Sequence, residues 1–467
     1  MLNYFPRYFS TRAIICYVVT LALVSSIFIS YAMPFQFMLF GFVPVLVFFT
    51  YSNKLTIDWY KLTTKAFTKK LFITALLIRA IYVVFIYFYF LDVTGKPFSY
   101  YPGDELWYQY VASIWQEEGL SEFAKKLSMY AGLDDSGYCS WLAMEYAILG
   151  THVLPARMIK CVIDAFACVL MYNLAKRNFG EAAGRMTGVF CMLMPNMWYY
   201  CGLTLKETEM AFMTILFVER ADLALRAKKI TLQNILLPSL LILAMFTFRT
   251  ALAAVMVAAL VAALILSSGK QLETWKKILY SAVFALWMFL TVGTEIIQET
   301  QALWENREAN QTEGYAWRAA RSGGNAFAQY ASATVFAPLI FTIPFSSMVA
   351  VNGQENMMMM NGANFIKNVL SGFMIFALVY LLINGEWRKH VLPIAVTCGY
   401  LVVLVFSNFA HSERFHFPVL AFELMFVAYA VSLMKNKHKR WFVIWLFFVC
   451  AANIIWAWIK LAGRGLI

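Results

Sequence analysis

The sequence predicts an all-α polytopic membrane protein, a bundle of about thirteen transmembrane helices with amphipathic helices in the first large external loop. Three observations predict it. Of 467 residues, 61% are hydrophobic and only 14% charged, with mean hydropathy +0.65, whereas a soluble domain is about 45 to 50% apolar. The apolar residues come in runs of roughly 16 to 22, long enough to cross a hydrocarbon core of about 30 Å as helices. The basic residues behind the net charge of +12 sit in short clusters between those runs, at Lys54 to Lys70, Lys176-Arg177, Arg226 to Lys229, Arg388-Lys389 and Lys435 to Arg440. That is the positive-inside pattern of cytoplasmic loops, which also contact anionic lipid, rather than a nucleic-acid surface.

With these clusters inside, the expected spans are 12–32, 34–52, 71–92, 153–174, 184–200, 203–219, 232–247, 250–267, 277–296, 365–384, 391–409, 418–434 and 441–459. The first ends in Ser30-Tyr31-Ala32, which resembles a cleavage site, but the run exceeds a signal-peptide core of about 7 to 15 residues and reads as a retained helix. The apolar stretch 333–351 holds Pro338 and Pro344, and a crossing there would put Arg388-Lys389 on the wrong side. It reads as re-entrant or interfacial. Four regions follow: 1–70, two N-terminal helices and a basic loop; 71–296, a transmembrane core with external loop 93–152; 297–364, a second external loop with the re-entrant segment; and 365–467, the C-terminal helices.

The first external loop carries more acids than bases. Leu106, Tyr110, Val111 and Ile114 recur at helical spacing while Asp104, Gln116 and Glu117 stay polar, which predicts a helix along the membrane surface, and Tyr138 to Leu149 predicts another. Six cysteines fall in apolar runs as small hydrophobes; Cys139 and Cys201 both lie near the outer face, which leaves a bridge between them open. No zinc-ligand spacing occurs.

The residues that could carry chemistry gather on the external side. Asp104 stands where a surface helix would begin, so an N-cap is its leading structural explanation; the functional one is a general base taking a proton from an acceptor hydroxyl. Glu105 either orients that acceptor or faces water. Lys206 lies near a helix N-terminus, a ready anion site, or snorkels beside Glu207. Arg249 sits at the tip of a hairpin between two apolar runs, and an arginine at that depth is a functional candidate. Arg414 has the planar fork that suits phosphate. His411 and His416, five residues apart without a third ligand, are more often loop residues than a metal pair. Cations that meet a departing phosphate in a low-dielectric cleft would be a large catalytic factor.

Asp104-Glu105 is followed by Tyr108 four residues after the aspartate and Gly119 fifteen after it. Then come Ser140 to Gly150, Leu154-Pro155-Ala156-Arg157, Lys176-Arg177-Asn178-Phe179-Gly180, Met194-Pro195, Tyr199-Tyr200 and Leu205-Lys206-Glu207, and near the C-terminus Arg414-Phe415-His416-Phe417-Pro418. In order and spacing these resemble the GT-C glycosyltransferases that use polyprenyl-phosphate sugars, the class that includes protein O-mannosyltransferases and the bacterial aminoarabinose transferase of lipid A. The last stretch looks like that family's Arg-aromatic-x-x-Pro element. The resemblance covers roughly Leu71 to Leu266, and the C-terminal third only through that element. It implies a GT-C-like bundle with Asp104, and Glu105 beside it, as catalytic carboxylates. It also implies Lys206, Arg249 and Arg414 as ligands of the carrier phosphate, and Tyr108, Glu207, His411 and His416 as candidates to touch substrate. The two spans before Leu71 and the segment from Ile297 have no counterpart in the family.

The expected function is transfer of a sugar from a polyprenyl-phosphate donor to a glycan, lipid or protein acceptor at the outer face of a bacterial inner membrane. The expected mechanism is inverting displacement with Asp104 as base, no cofactor, no protein metal site and no nucleic acid; a divalent-metal requirement stays open. The alternatives are a polysaccharide polymerase or O-antigen ligase using a lipid-diphosphate donor, and a lipid-linked sugar transporter or flippase. For the last of these the sequence offers no internal repeat and few mid-membrane polar residues beyond Arg79, Asp164 and Glu423.

Overall fold

A computed structural model of the chain describes residues 2–227, 232–267, 325–327, 337–406 and 410–467. Among them the architecture is all-helical, and it is that of an integral membrane protein: six helices are long and apolar enough to cross a bilayer. The expected count of about thirteen crossings is not reached among these residues; the expected span 277–296 and, but for 325–327, the external segment 297–332 lie outside them.

Helices α1 (Arg7–Ile27) and α2 (Phe35–Asp58) form an N-terminal hairpin, and α3 (Thr64–Thr94) follows. Three helices then occupy the first long loop: α4 (Gly103–Glu118), α5 (Leu120–Tyr130) and α6 (Leu133–Leu149). Gly119, at φ 93°, separates the first two in a conformation that L side chains rarely adopt. The buried face of α4 is Tyr108, Val111, Ala112 and Ile114, whereas Leu106 and Tyr110 are exposed, so the helix packs one step round from the face expected. The reason is the partner: α4 lies on α6 as well as on the bundle, and Tyr108 meets Tyr138 edge to face at 4.8 Å.

Helix α7 (Val153–Phe179) runs the length of the core, burying Arg157, Lys160 and Asp164. The expected span 184–200 is two helices, α8 (Glu181–Leu193) and α9 (Pro195–Cys201). Pro195 explains the break, because it lacks an N–H for Cys191 and forces Met194 into an extended conformation. After a short irregular link, α10 (Glu207–Arg226) begins later and ends later than the expected 203–219. Helices α11 (Leu232–Phe246) and α12 (Thr250–Leu266) form the expected hairpin with Arg249 at its turn. The C-terminal part comprises the short α13 (Glu355–Met359), then α14 (Asn361–Ile383), α15 (Val391–Phe406), α16 (Glu413–Leu433) and α17 (Lys439–Ala462).

Residues 340–354 contain no helix, although most are buried. Irregular backbone in an apolar bundle needs internal partners, and α14 and α17 supply them. Asn368 Nδ2 donates to the carbonyls of Thr342 and Pro344 at 2.6 and 2.9 Å, Lys367 Nζ to Ile343 at 3.1 Å, and Asn453 Oδ1 accepts from Ser346 N at 2.8 Å. Cys139 and Cys201 are both free and buried; Cys201 packs with Val83 and Cys161, so the bridge left open by the sequence is not formed.

Where α2 crosses α14, the contact is made by two glycines. A Cβ on Gly362 would stand 2.2 Å from the Gly41 carbonyl oxygen, and one on Gly41 would stand 1.9 Å from Asn361 Oδ1. Small residues let membrane helices approach this closely. Gly362→Ala is expected to destabilise the chain by about 1 to 3 kcal/mol, read as a lower Tm in detergent; an unchanged Tm would mean that the helices do not cross there.

One end of the bundle is closed by an ion network. Arg177 pairs with Asp222 at 2.5 Å and Glu219 at 3.2 Å, and Arg226 pairs with Asp222 at 2.9 Å. The Asn178 side-chain oxygen accepts from Arg226 Nη2 at 2.9 Å and His390 Nδ1 at 2.8 Å. Burial, then the Arg226 charge, pushes His390 down to about 4, so it is a neutral donor at pH 7. Arg177 and Arg226 therefore tie α7, α10 and α15 together, a use beyond the orientation and lipid contact that their sequence pattern suggests.

Candidate active site

At the opposite end of α7 and α10, four helix N-termini converge. Asp104 lies in the first turn of α4, Glu207 begins α10, Arg249 precedes α12, and Arg414 lies in the first turn of α16. Arg414 joins them: its Nη1 donates to Asp104 Oδ2 and its Nε to Glu207 Oε1, across 310 and 207 residues of sequence. Arg249 Nη2 stands 3.9 Å from the same Glu207 oxygen, its Nη1 donates to Tyr400 at 3.3 Å, and its guanidinium lies 4.3 Å over the Phe415 ring. Free amides at helix N-termini carry positive partial charge, so this end of the bundle favours anions before any side chain is counted. Carboxylates in those first turns satisfy part of that field.

The two carboxylates differ in environment. Glu207 is 0% exposed and Asp104 57% exposed. Pro102, not Asp104, holds the N-cap position of α4, and no side chain caps the helix; the carboxylate that the sequence offers as a cap is turned to Arg414.

Glu105 faces the other way. It is 1% exposed, and its oxygens accept from Ser99 N at 3.1 Å, Thr204 N at 2.8 Å and Arg157 Nη2 at 3.2 Å. Arg157 also holds Thr204 Oγ1 at 3.1 Å. Glu105 thus pins the start of α4 to the α9–α10 link, and its geometry is that of a structural anchor rather than of a second catalytic carboxylate.

Lys206 is likewise spent. Its ammonium donates to the carbonyls of Asp134 and Phe248 at 2.7 Å each and to Asp135 Oδ1 at 2.6 Å, so its three N–H groups are taken and none is left for a phosphate. Tyr108 donates to the same Asp135 oxygen at 2.5 Å. Burial, then the Asp135 charge, raises the Tyr108 phenol well above its ordinary range, so it stays a neutral donor. Together Tyr108, Asp135 and Lys206 lock α4, α6 and the α11–α12 turn around the first turn of α10.

The histidines lie elsewhere. His416 Nδ1 is 2.7 Å from Lys367 Nζ and its Nε2 donates to the Ala410 carbonyl at 2.8 Å, while His411 stacks on Trp456. Both ring nitrogens of His416 are engaged, which removes it as a substrate contact. Among the described residues no group of three or more His, Cys, Asp and Glu side chains could hold a metal ion.

No family model matches this chain, and no curated protein or solved structure matches it. What the site can do therefore follows from its own chemistry: an exposed carboxylate able to take a proton, beside two guanidiniums and four helix N-termini able to hold an anion. Asp135, Tyr400 and the buried pair Glu145 and Glu209 are not singled out by the sequence reading. Arg157 carries a signal, a charge just inside an apolar run.

Glu145 of α6 and Glu209 of α10 are each 4% exposed, and Lys160 reaches Glu209 at 3.4 Å. Burial, then repulsion from Glu209, pushes Glu145 up from 4.5 to about 8, with Lys160 opposing. The folded chain thus binds this proton more tightly than the unfolded one. The stability it contributes is full below pH 4.5 and is lost as pH rises toward about 8. Between pH 6 and 9 the native chain is expected to lose Tm relative to Glu145→Gln; parallel melting curves for the two would place Glu145 in a solvated setting.

Proposed function

We propose that this chain is a membrane glycosyltransferase that moves a sugar from a polyprenyl-phosphate donor to a glycan, lipid or protein acceptor. The site faces the external, periplasmic side of a bacterial inner membrane, because the basic clusters Lys176-Arg177 and Lys435 to Arg440 mark the other side as cytoplasmic. The observation that carries the reading is the joining, from four distant segments, of an exposed carboxylate to a paired guanidinium assembly at one end of a membrane bundle.

The residues divide the reaction between them. The acceptor hydroxyl oxygen attacks the anomeric carbon from the face opposite the phosphate. Its proton passes to the Asp104 carboxylate, while the bond from the anomeric carbon to the phosphate oxygen breaks and its electron pair stays on that oxygen. Arg414 and Arg249, with the helix N-termini behind them, stabilise the charge as it grows on the leaving phosphate. Glu207 keeps the two guanidiniums side by side despite their repulsion.

Mass spectrometry of glycans, lipids and proteins from cells with and without the gene tests the reading. One sugar is expected to vanish from its acceptor while its polyprenyl-phosphate form accumulates, and the wild-type gene, but not Asp104→Asn, is expected to restore it. Unchanged products, transport of a lipid-linked sugar without a covalent product, or accumulation of a diphosphate-linked oligosaccharide donor instead would overturn it.

A further inference from the structure

Among the described residues, the ion pairs at the mouth set two acids, Asp104 and Glu207, against two bases, Arg249 and Arg414, a balanced set. The acids are not interchangeable. Glu207 is fully buried, and one of its oxygens faces both guanidiniums, so nothing that enters from solvent can take its place. Asp104 is 57% exposed, and its bond to Arg414 engages Nη1, at the outward end of a guanidinium whose Nε is held by Glu207. A carboxylate and a phosphate use the same guanidinium edge in the same way, through anionic oxygens accepting charge-assisted hydrogen bonds.

Resting on the function proposed above, we propose that Asp104 is a built-in competitor for the anion site of Arg414. In the empty enzyme its carboxylate occupies the Nη1 edge; the donor phosphate displaces it, and the displaced carboxylate is free to turn to the acceptor hydroxyl. Charge balance within this set favours the order. A donor phosphodiester brings one negative charge, so a mouth holding phosphate, Asp104 and Glu207 together has one charge uncompensated in a partly desolvated site. Once Asp104 swings toward solvent and acceptor, the phosphate, Glu207 and the two arginines are neutral again. With no phosphate bound, the carboxylate is held at Arg414 rather than at the acceptor.

The test is binding, read apart from turnover. The full chain in lipid nanodiscs is titrated with radiolabelled undecaprenyl phosphate, which offers the carrier phosphate but no sugar to transfer. Asp104→Asn is expected to bind roughly three- to fivefold more tightly than wild type, the gain from removing a partly exposed competing ion pair. Arg414→Gln is expected to bind at least about tenfold more weakly, through loss of a charged hydrogen bond. If Asp104→Asn binds no more tightly while Arg414→Gln binds weakly, the competition is overturned and the phosphate site stands. If Arg414→Gln and Arg249→Gln both bind like wild type, the phosphate site falls, and the competition with it. Should Arg414→Gln not fold, Arg414→Lys keeps the charge against Glu207 without the fork, and combining it with Asp104→Asn is expected to abolish the gain; a gain that persists would place the competition elsewhere.

Discussion

Replacing Asp104 with Asn is expected to lower sugar transfer by about 10²- to 10⁴-fold, the usual contribution of a positioned general base. The substitution removes one oxygen's charge and leaves the shape of the side chain. Because Asp104 is 57% exposed and caps no helix, the folded state has little reason to change. The loss should appear in kcat, with carrier binding kept or improved, since Arg414 gives up a partner without losing its hold on Glu207. A pre-steady-state transfer assay in nanodiscs reads this directly. Equal loss of binding and turnover would mean that Asp104 positions Arg414 rather than moving a proton. Full retention of transfer would remove Asp104 from the chemistry altogether.

Much of the architecture was legible because membrane helices are written in long apolar runs. The ends of α11, α12, α14, α15 and α17 lie within four residues of the runs that predicted them, whereas α1 is shifted five residues toward the N-terminus, α2 runs on to Asp58, and α3 and α16 begin earlier, at Thr64 and Glu413. Where the reading failed, local chemistry overrode hydropathy. Pro195 split one apolar run into α8 and α9, a break that a hydropathy window averages away. The face that α4 buries depended on which helix lay against it, which periodicity alone cannot say.

At the site, sequence could name Asp104, Arg249 and Arg414 as chemically suited residues, but it could not say which charges would be used up by one another. Lys206 and Arg414 look alike as candidates in the sequence. In the fold one has all three donors taken by Asp134, Asp135 and Phe248, and the other bridges a buried and an exposed carboxylate at the mouth. Adjacent Asp104 and Glu105 part company for the same reason. Successive helix residues point about 100° apart, so one faces solvent and Arg414 while the other faces Arg157 in the core.

The second large effect concerns the fold that holds this site, and it centres on Arg79. Its Nε is paired with Asp164, both side chains being at most 1% exposed, and its Nη2 reaches the Cys191 carbonyl at 3.2 Å while Nη1 reaches that of Met192 at 3.3 Å. Those two carbonyls end α8, and Cys191 is the residue whose α-helical partner would be the amide of position 195. Proline there has no N–H, so the guanidinium stands in for the missing donor. Arg79→Met is accordingly expected to destabilise the chain by about 3 to 5 kcal/mol, because it leaves Asp164 buried and unpaired and also strips the Cys191 carbonyl, whereas that of Met192 keeps Trp198 Nε1 at 2.9 Å. Adding Asp164→Asn should recover part of that loss, since it removes the orphan charge but cannot replace the donor to Cys191. The measurement is thermal or denaturant stability of the single and double variants in one detergent. Full recovery in the double variant would show that the ion pair alone matters and that α8 ends without help from Arg79. No recovery would show that the Cys191 carbonyl dominates. Partial recovery is the outcome expected if a break written by Pro195 is completed, from another helix, by Arg79.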